Sequence, residues 1–167
     1  QNDVERIDRL INDISAASKV DAELSRIQIK KINISKLLEN LVDIRSSTIN
    51  LKINLLKHTE DIYILGDENK IAQVFDNLIQ NAASFSKENN FLNIRIEKNV
   101  ENVKIIVEDN GPGFSKGSLK KVFDRFYTDR PKNEKFGNHS GLGLSISKQI
   151  VDAHGGSIEA LNRLNQN

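Results

Sequence analysis

The sequence contains no cysteine, no methionine and no tryptophan, and only two prolines. Without cysteine the chain can form neither a disulfide framework nor a thiolate metal site. Its apolar runs are only a few residues long, so none of them predicts a membrane span. The polar residues 1–8 do not resemble a signal peptide. Because methionine is absent even from position 1, we expect the chain to be either a segment of a longer protein or a chain whose start was removed.

Of the 167 residues, 38% are hydrophobic and 28% are charged, which is the balance of a globular domain with a real core. The net charge is only +1, and the lysines and arginines are scattered along the chain. This distribution argues against a dedicated nucleic-acid surface, and we expect no nucleic-acid partner.

The first stretch has the pattern of an amphipathic helix. Val4, Ile7, Ile11 and Ile14 recur at spacings of three and four residues, in successive a and d positions of a heptad. A single helix cannot bury such a stripe alone. It packs either on its own globular domain or, as we favour, in an intermolecular helix bundle.

The rest of the chain mixes strands and helices. Alternation of apolar and polar residues predicts strands near 27–34, 49–53, 62–65, 91–97, 103–108 and 157–161. Helical periodicity predicts helices at 35–47, from 67 onward with Asp67 as the N-cap, and at 141–153. The short link at 99–102 predicts a hairpin. These elements predict an α/β two-layer sandwich, with a mixed, mostly antiparallel sheet covered by helices on one face.

Two asparagines lie one turn apart on the central predicted helix. Asn77 and Asn81 are four residues apart and therefore share a face, beside the apolar stripe. A carboxamide oxygen is a hard, neutral ligand that suits Mg²⁺ already carrying phosphates. Taken alone, the two amides fit surface polar residues equally well.

A turn sequence, Asp109-Asn110-Gly111-Pro112-Gly113, directly follows a predicted strand. Glycine lets the backbone turn sharply and approach a ligand closely. A carboxylate at the end of the strand can accept a hydrogen bond from an exocyclic amine. A plain β-turn explains the Gly-Pro-Gly sequence equally well.

A second glycine motif, Ser140-Gly141-Leu142-Gly143-Leu144, opens the last predicted helix. Backbone N–H groups at the start of a helix bind phosphates readily, although a simple loop-to-helix junction would have the same sequence. The glycine spacing matches neither the dinucleotide fingerprint nor the phosphate-binding P-loop.

Together with Phe123-Asp124-Arg125-Phe126-Tyr127, these motifs resemble the boxes of two-component sensor histidine kinases. That family belongs to the superfamily of gyrase-type ATPases and heat-shock 90 chaperones. Residues 77–82 are similar to the N box, 109–113 and 141–144 to the two glycine boxes, and 123–127 to the F box. The resemblance runs from about residue 34 onward and implies a Bergerat-type ATP-binding fold. Residues 83–86 and 130–131 are most similar to envelope-stress sensor kinases of alphaproteobacteria.

The resemblance implies roles for the matching residues. Asp109 would hold the adenine amine, with Phe85 near the ring. Asn81 would coordinate Mg²⁺, and Asn77 would support the triphosphate site. The long irregular segment at 110–140 is expected to be a lid over the nucleotide. Its Arg125 and Arg130 would be the cations that neutralise the γ-phosphate. The other positions expected beside the nucleotide are Gly111, Gly113, Tyr127, Gly141, Leu142, Gly143 and Leu144.

The first N-box position favours a kinase over other enzymes of the superfamily. The hydrolysing relatives carry a glutamate there that activates water, whereas this chain carries Asn77. An amide cannot accept a proton at neutral pH, so the site is better suited to presenting phosphate to an outside acceptor. The alternatives are a gyrase-like ATPase and a nucleotide-binding or dimerisation module without kinase output.

The chain also departs from the family pattern. The phosphoacceptor histidine is missing, because His58, His139 and His154 all lie outside the acceptor context and are expected to be structural or exposed. Ser84 stands where the family usually has a lysine. We also expect the last strand of the fold to be missing, because the chain stops at Asn167.

The resemblance implies two parts and several partners. Residues 1–25 are similar to the second helix of the dimerisation and phosphoacceptor hairpin, and residues 26–167 to the ATP-binding domain. The implied partners are ATP with Mg²⁺, a response regulator and a second kinase protomer. We expect a cytoplasmic domain of an inner-membrane sensor, attached to the membrane only through segments outside this chain.

Overall fold

The computed structural model of the chain describes residues 2–56, 60–85, 90–115, 117–127 and 141–163. Its helices are α1 (Asn2–Leu24), α2 (Ile34–Ser46), α3 (Glu68–Ser84) and α4 (Gly143–Ala153). Its strands are β1 (Lys30–Asn33), β2 (Lys52–Leu56), β3 (Tyr63–Gly66), β4 (Phe91–Lys98) and β5 (Val103–Asp109). None of the helices in these ranges is both long enough and apolar enough to cross a bilayer.

The strands pair in two groups. β1 and β3 form an antiparallel pair, and β4 lies between β2, which is parallel to it, and β5, which is antiparallel. The β4–β5 hairpin is closed by Asn99, whose side chain accepts the N–H groups of Glu101 and Asn102. The predicted hairpin and the mixed, mostly antiparallel strand arrangement are therefore confirmed.

The core lies between the strands and two helices. On β4, Leu92, Ile94 and Ile96 are buried while Arg95 and Glu97 are exposed, the alternation of a strand with one covered face. The covering side chains come from α2 and α3 and include Leu38, Val42, Ile71, Phe75 and Ile79. This arrangement confirms the predicted two-layer α/β sandwich.

Helix α1 presents its apolar stripe to solvent. Val4, Ile7, Ile11 and Ile14 are 64%, 55%, 56% and 59% exposed, whereas Val20 is only 8% exposed. The helix contacts α4, and Glu23 near its end pairs with Lys70 of α3. The stripe therefore does not pack on the described part of its own domain.

Helix α3 begins at a carboxylate that makes two backbone contacts. Asp67 Oδ1 accepts the N–H of Lys70 at 3.2 Å, which confirms the predicted N-cap, and Oδ2 accepts the N–H of Gln28 at 3.0 Å. The Gln28 N–H, the larger of these influences, and the N–H of Lys70 lower the pKa of Asp67, against the opposing effect of partial burial. The cap thus also fixes the segment that joins α1 to the domain.

The end of helix α4 is attached to the start of α3 through His154. The N–H of Asp67 donates to His154 Nε2 at 3.0 Å. The ring proton is therefore on Nδ1, which donates to the carbonyl of Ile150 at 2.7 Å. His154 is structural, as expected, while His58 and His139 lie outside the described residues.

The structure differs from the sequence prediction in one strand that is absent and in the starting residues of two other elements. The predicted strand at 157–161 is wrong, because this segment pairs with no strand in the part of the chain that the structure describes. The alternation of apolar and polar residues is not sufficient for a strand, which also requires main-chain hydrogen bonds to a neighbouring strand. The strand predicted at 49–53 lies at Lys52–Leu56, since the N–H groups of Thr48 and Ile49 both bond back to Arg45 and extend the turn. Helix α4 starts at Gly143, two residues later than predicted, because the φ of 72° at Gly141 lies outside the helical range.

We expect Asp67→Ala to destabilise the domain by about 1 kcal/mol or somewhat more, because α3 loses its cap and Gln28 loses its acceptor. Chemical denaturation at neutral pH measures the change. Asp43→Ala is the matched control, since Asp43 is an exposed aspartate on α2. Equal stability of the two variants would contradict the proposed role of the cap.

The pH dependence has a definite sign. Because folding lowers the pKa of Asp67, its contribution to stability is fully present above the ordinary value of 3.8 and is lost as the pH falls through the folded value. The stability difference between the unmutated chain and Asp67→Ala should therefore be constant near neutral pH and shrink in acid.

Candidate functional site

The three sequence motifs lie on elements that meet around helix α3. Asn77 and Asn81 lie on α3, Asp109 is the last residue of β5, and Gly143 is the first residue of α4. Helices α3 and α4 pack along each other, which places the N-box segment beside the second glycine motif. The first glycine motif approaches the C-terminal end of α3, at Phe85.

Asp109, Gly111 and Phe85 form one side of the site. The N–H of Gly111 donates to Asp109 Oδ1 at 2.7 Å. A Cβ atom on Gly111 would lie 2.7 Å from the same oxygen and 3.6 Å from Phe85 Cβ, so a larger residue would collide with the carboxylate. The bond from Gly111 orients Asp109 at the strand end, where its second oxygen can accept an N–H from a ligand amine.

Two asparagines that sequence reasoning missed hold this first glycine motif in place. Asn110 Oδ1 accepts the N–H of Phe91, at the start of β4, at 2.9 Å. Asn162 accepts the N–H of Phe114 at 2.8 Å and donates to the carbonyl of the same residue at 2.7 Å. Between them, Gly113 has a φ of 73°, a conformation that favours glycine. The loop is therefore anchored on both sides of its glycines.

The two N-box asparagines have different surroundings. Asn77 Nδ2 donates to the carbonyl of Gly143 at 3.1 Å and to Ser147 Oγ at 3.3 Å. The side chain of Asn81 is half-buried, and no hydrogen bond joins it to the part of the chain that the structure describes. Ser84, at the position where lysine was expected, donates to the backbone carbonyl of Asn81 at 2.7 Å. Asn77 is thus tied to α4, while no residue that the structure describes holds the side-chain amide of Asn81.

The second glycine motif forms a close junction at the start of α4. With its φ of 72°, Gly141 would place a Cβ atom only 2.8 Å from the carbonyl oxygen of Tyr127. The N–H of Phe126 also donates to the Gly141 carbonyl at 3.1 Å. Leu142 is the N-cap residue and is 4% exposed, and its side chain does not cap the helix. The first N–H groups of α4, from Gly143 and Leu144, can therefore face an anion.

The residues predicted to serve the lid are placed differently. The hydroxyl of Tyr127 donates to Ser118 Oγ at 2.7 Å, and Ser118 is buried. Arg125 donates to Asp21 of α1 at 3.0 Å, and Gln149 of α4 donates to the same carboxylate at 2.9 Å. Arg125 thus contacts α1 rather than the three motifs. Arg130 lies outside the described residues.

A divalent cation at this site would depend on neutral ligands. Within the described ranges, no group of three or more His, Cys, Asp or Glu residues could hold a metal ion. The chemistry of the half-buried Asn81 amide fits Mg²⁺, which keeps several waters and binds mainly through substrate phosphates. The site therefore suits a metal that arrives with a phosphorylated ligand.

Comparison with known proteins agrees with this geometry. Residues 66–166 match the family described as histidine kinase-, DNA gyrase B-, and HSP90-like ATPase. The sensor protein ChvG of Rhizobium meliloti (strain 1021) is 45% identical over 172 residues, covering 97% of this chain and 30% of that protein. The catalytic domain of histidine kinase ThkA is 30% identical with a TM-score of 0.72, over 83% of this chain and 91% of that domain.

Full-length ShkA, solved in complex with AMPPNP, shares the fold with a TM-score of 0.76 at 23% identity, over 93% of this chain and 32% of that one. ThkA also matches in its complex with the response regulator TrrA, with a TM-score of 0.69 at 24% identity, over 96% of this chain and 48% of that one. The chain belongs to the family of histidine kinase-, DNA gyrase B- and HSP90-like ATPases. It spans about 30% of the length of the ChvG protein that it matches.

We expect Asp21→Ala to loosen the end of α1 from the domain, because one carboxylate holds both Arg125 and Gln149. Exposed ion pairs contribute up to about 1 kcal/mol, so amide hydrogen exchange in the last turn of α1 should rise by roughly threefold to fivefold. Exchange in α3 should not change. Unaltered exchange in α1 would show that the contact contributes nothing to docking.

Proposed function

We propose that this chain is the ATP-binding catalytic domain of a two-component sensor histidine kinase. It would transfer the γ-phosphoryl group of ATP to a histidine on a phosphoacceptor helix outside this chain. The observation that carries the proposal is the meeting of the N-box amides, the Asp109 turn and the uncapped start of α4 around one helix. The 45% identity to a sensor protein supports the same function.

The proposed roles come from the family resemblance, and the geometry supports some of them. Asp109, oriented by Gly111, would accept the adenine amine beside Phe85. Asn81 would coordinate Mg²⁺ through its amide oxygen, and Asn77 would support the triphosphate. The glycine motifs would supply close backbone approach and N–H donors to the nucleotide, at Gly111, Gly113, Gly141, Leu142, Gly143 and Leu144. Tyr127 would lie beside the nucleotide as part of the lid.

The chemistry requires little from the protein beyond position and charge. An imidazole nitrogen of the acceptor histidine forms a bond to the γ-phosphorus. The bond from that phosphorus to the bridging oxygen breaks, and its electron pair leaves with ADP. A response-regulator aspartate would then take the phosphoryl group from the histidine. Mg²⁺ supplies neutralisation of phosphate charge when it is bound.

The two arginines proposed to bind the γ-phosphate come from the family resemblance, Arg125 within the F box and Arg130 shortly after it. Arg125 and Arg130 would neutralise charge on the γ-phosphate. Arg125 forms an ion pair with Asp21 in this structure. This exposed pair must therefore separate before Arg125 can contact the γ-phosphate. A phosphate with several negative charges is a stronger partner for guanidinium than one exposed carboxylate is.

The partners and location are also proposed from the relatives. The exposed stripe of α1, with Val4, Ile7, Ile11 and Ile14, supports pairing with a second protomer in a helix bundle. The complex of ThkA with TrrA supports a response regulator as the next acceptor. The domain would work in the cytoplasm, where ATP is available, and join an inner-membrane sensor through segments outside this chain.

We expect Asp109→Asn to weaken ATP binding at least tenfold, because a hydrogen bond to a charged acceptor contributes about 1.5–3 kcal/mol. Asn81→Ala should instead abolish most of the Mg²⁺ dependence of binding. Isothermal titration calorimetry with ATP, in the presence and absence of Mg²⁺, measures both effects. Asp43→Asn, on the exposed face of α2, is the control for loss of one carboxylate.

Transfer is tested with radiolabelled ATP and a phosphoacceptor domain supplied separately. Label on the acceptor histidine supports the kinase. Binding without transfer favours a nucleotide-binding module, and release of free phosphate without an acceptor favours a gyrase-like ATPase. Absence of any heat from Mg²⁺ and ATP, with no effect of either variant, would sink the proposal.

A further inference from the structure

Ser147 is a fully buried polar residue near the site, and none of the sequence motifs includes it. It lies on α4, one turn after Gly143, with 0% exposure. Its hydroxyl donates to the carbonyl of Gly143 at 2.9 Å. A buried hydroxyl on a helix usually satisfies itself through such a bond to the preceding turn, and that bond gives no net gain in helix stability. The bond to Gly143 therefore does not explain why a serine occupies this buried position.

The serine also accepts a hydrogen bond from the side-chain amide of Asn77, on the neighbouring helix α3. Asn77 Nδ2 lies 3.1 Å from the carbonyl oxygen of Gly143 and 3.3 Å from Ser147 Oγ. A carbonyl oxygen can only accept, so the nitrogen of the amide must face α4. The single proton of Ser147 is used on Gly143, so its hydroxyl oxygen presents lone pairs to Asn77. Because the two acceptors are only 2.9 Å apart, they share one hydrogen of the amide in a three-centre bond.

Two acceptors on one nitrogen fix the plane of the carboxamide. With Nδ2 held against α4, the oxygen Oδ1 occupies the other arm of that plane and is turned away from both acceptors. No described residue donates a hydrogen bond to Oδ1. The amide is therefore held with its acceptor oxygen outward, rather than rotating between its two orientations.

We infer that Ser147 is a positioning residue: it holds the amide of Asn77 so that Oδ1 is presented to the magnesium-phosphate end of the bound nucleotide. The inference rests on the proposed function and adds to it the group that orients the first N-box residue. Ser147 acts through Asn77 and does not itself contact the nucleotide.

Ser145 provides a matched control on the same helix. It is also buried, at 3% exposure, and its hydroxyl bonds to the carbonyl of Leu142 at 2.9 Å. Its hydroxyl makes no hydrogen bond to a side chain among the described residues of α3. Ser145→Ala therefore removes a buried hydroxyl of the same kind without removing an acceptor from Asn77.

The test measures MgATP affinity by calorimetry in the whole chain. Ser147→Ala should weaken binding about fivefold, the effect of one neutral hydrogen bond, while Ser145→Ala stays within about twofold of the unmutated chain. Ser147→Thr keeps the hydroxyl and should restore most of the affinity. In an Asn77→Ala background, Ser147→Ala should have no further effect, because a positioning residue acts only through its target.

A second measurement needs no mutation. In the ¹⁵N spectrum of the unmutated chain, one side-chain amide hydrogen of Asn77 should exchange with water at least tenfold more slowly than either amide hydrogen of the exposed Asn50, because it is hydrogen-bonded to α4. This readout remains available if Ser147→Ala fails to fold. Equal exchange rates for the two asparagines would overturn the inference.

The outcomes separate the inference from the proposed function. If the unmutated chain binds no MgATP, the proposed function fails, and the inference fails with it. If it binds and Ser147→Ala matches Ser145→Ala, or if the loss persists in the Asn77→Ala background, only the inference fails. Three results together support the inference: Ser147→Ala weakens MgATP binding more than Ser145→Ala does, Ser147→Thr restores most of the affinity, and Ser147→Ala has no further effect in the Asn77→Ala background.

Discussion

The contact between helices α3 and α4 is the constraint on which the site depends, and polar bonds fasten it at two places. Near one end, the Asn77 amide bonds to Gly143 and Ser147. At the other end, the N–H of Asp67 bonds to His154. These attachment points are ten residues apart on α3, which is about 15 Å along a helix axis. Two fixed points set both the distance and the register of the helices, so the N box and the second glycine motif cannot slide past each other.

The first glycine motif depends on a different support. Asn110 bonds it to the start of β4, and Asn162 bonds Phe114 through both its amide groups. The site thus joins a helix pair to the end of a hairpin, and Gly111 against Phe85 is where the two supports meet. Because the supports share few residues, a substitution in one should change that part of the site and leave the other nearly intact.

Sequence periodicity predicted the elements well, because burial of one face imposes a repeat that can be read along the chain. The stripe on α3, the Asp67 cap and the β4–β5 hairpin are local patterns of this kind. The bonds from Asn162 to Phe114 and from Asp67 to His154 join residues 48 and 87 positions apart, and such single side-chain contacts leave no repeat. The strand at 157–161 failed for the opposite reason: alternation was present, but a strand also requires a paired neighbour.

The orientation of Asn77 also bears on which reaction the site can support. Water activation needs a group that accepts a proton, and an amide whose nitrogen is held by α4 offers only a weakly basic oxygen. The acidic residues of α3 are Glu68 in its first turn and Asp76, and Asp76 is paired with Arg45 of α2 and with Gln80. Neither carboxylate of α3 therefore replaces the missing base beside the N box. This supports the proposed function, in which the nucleophile is a phosphoacceptor histidine from outside the described site.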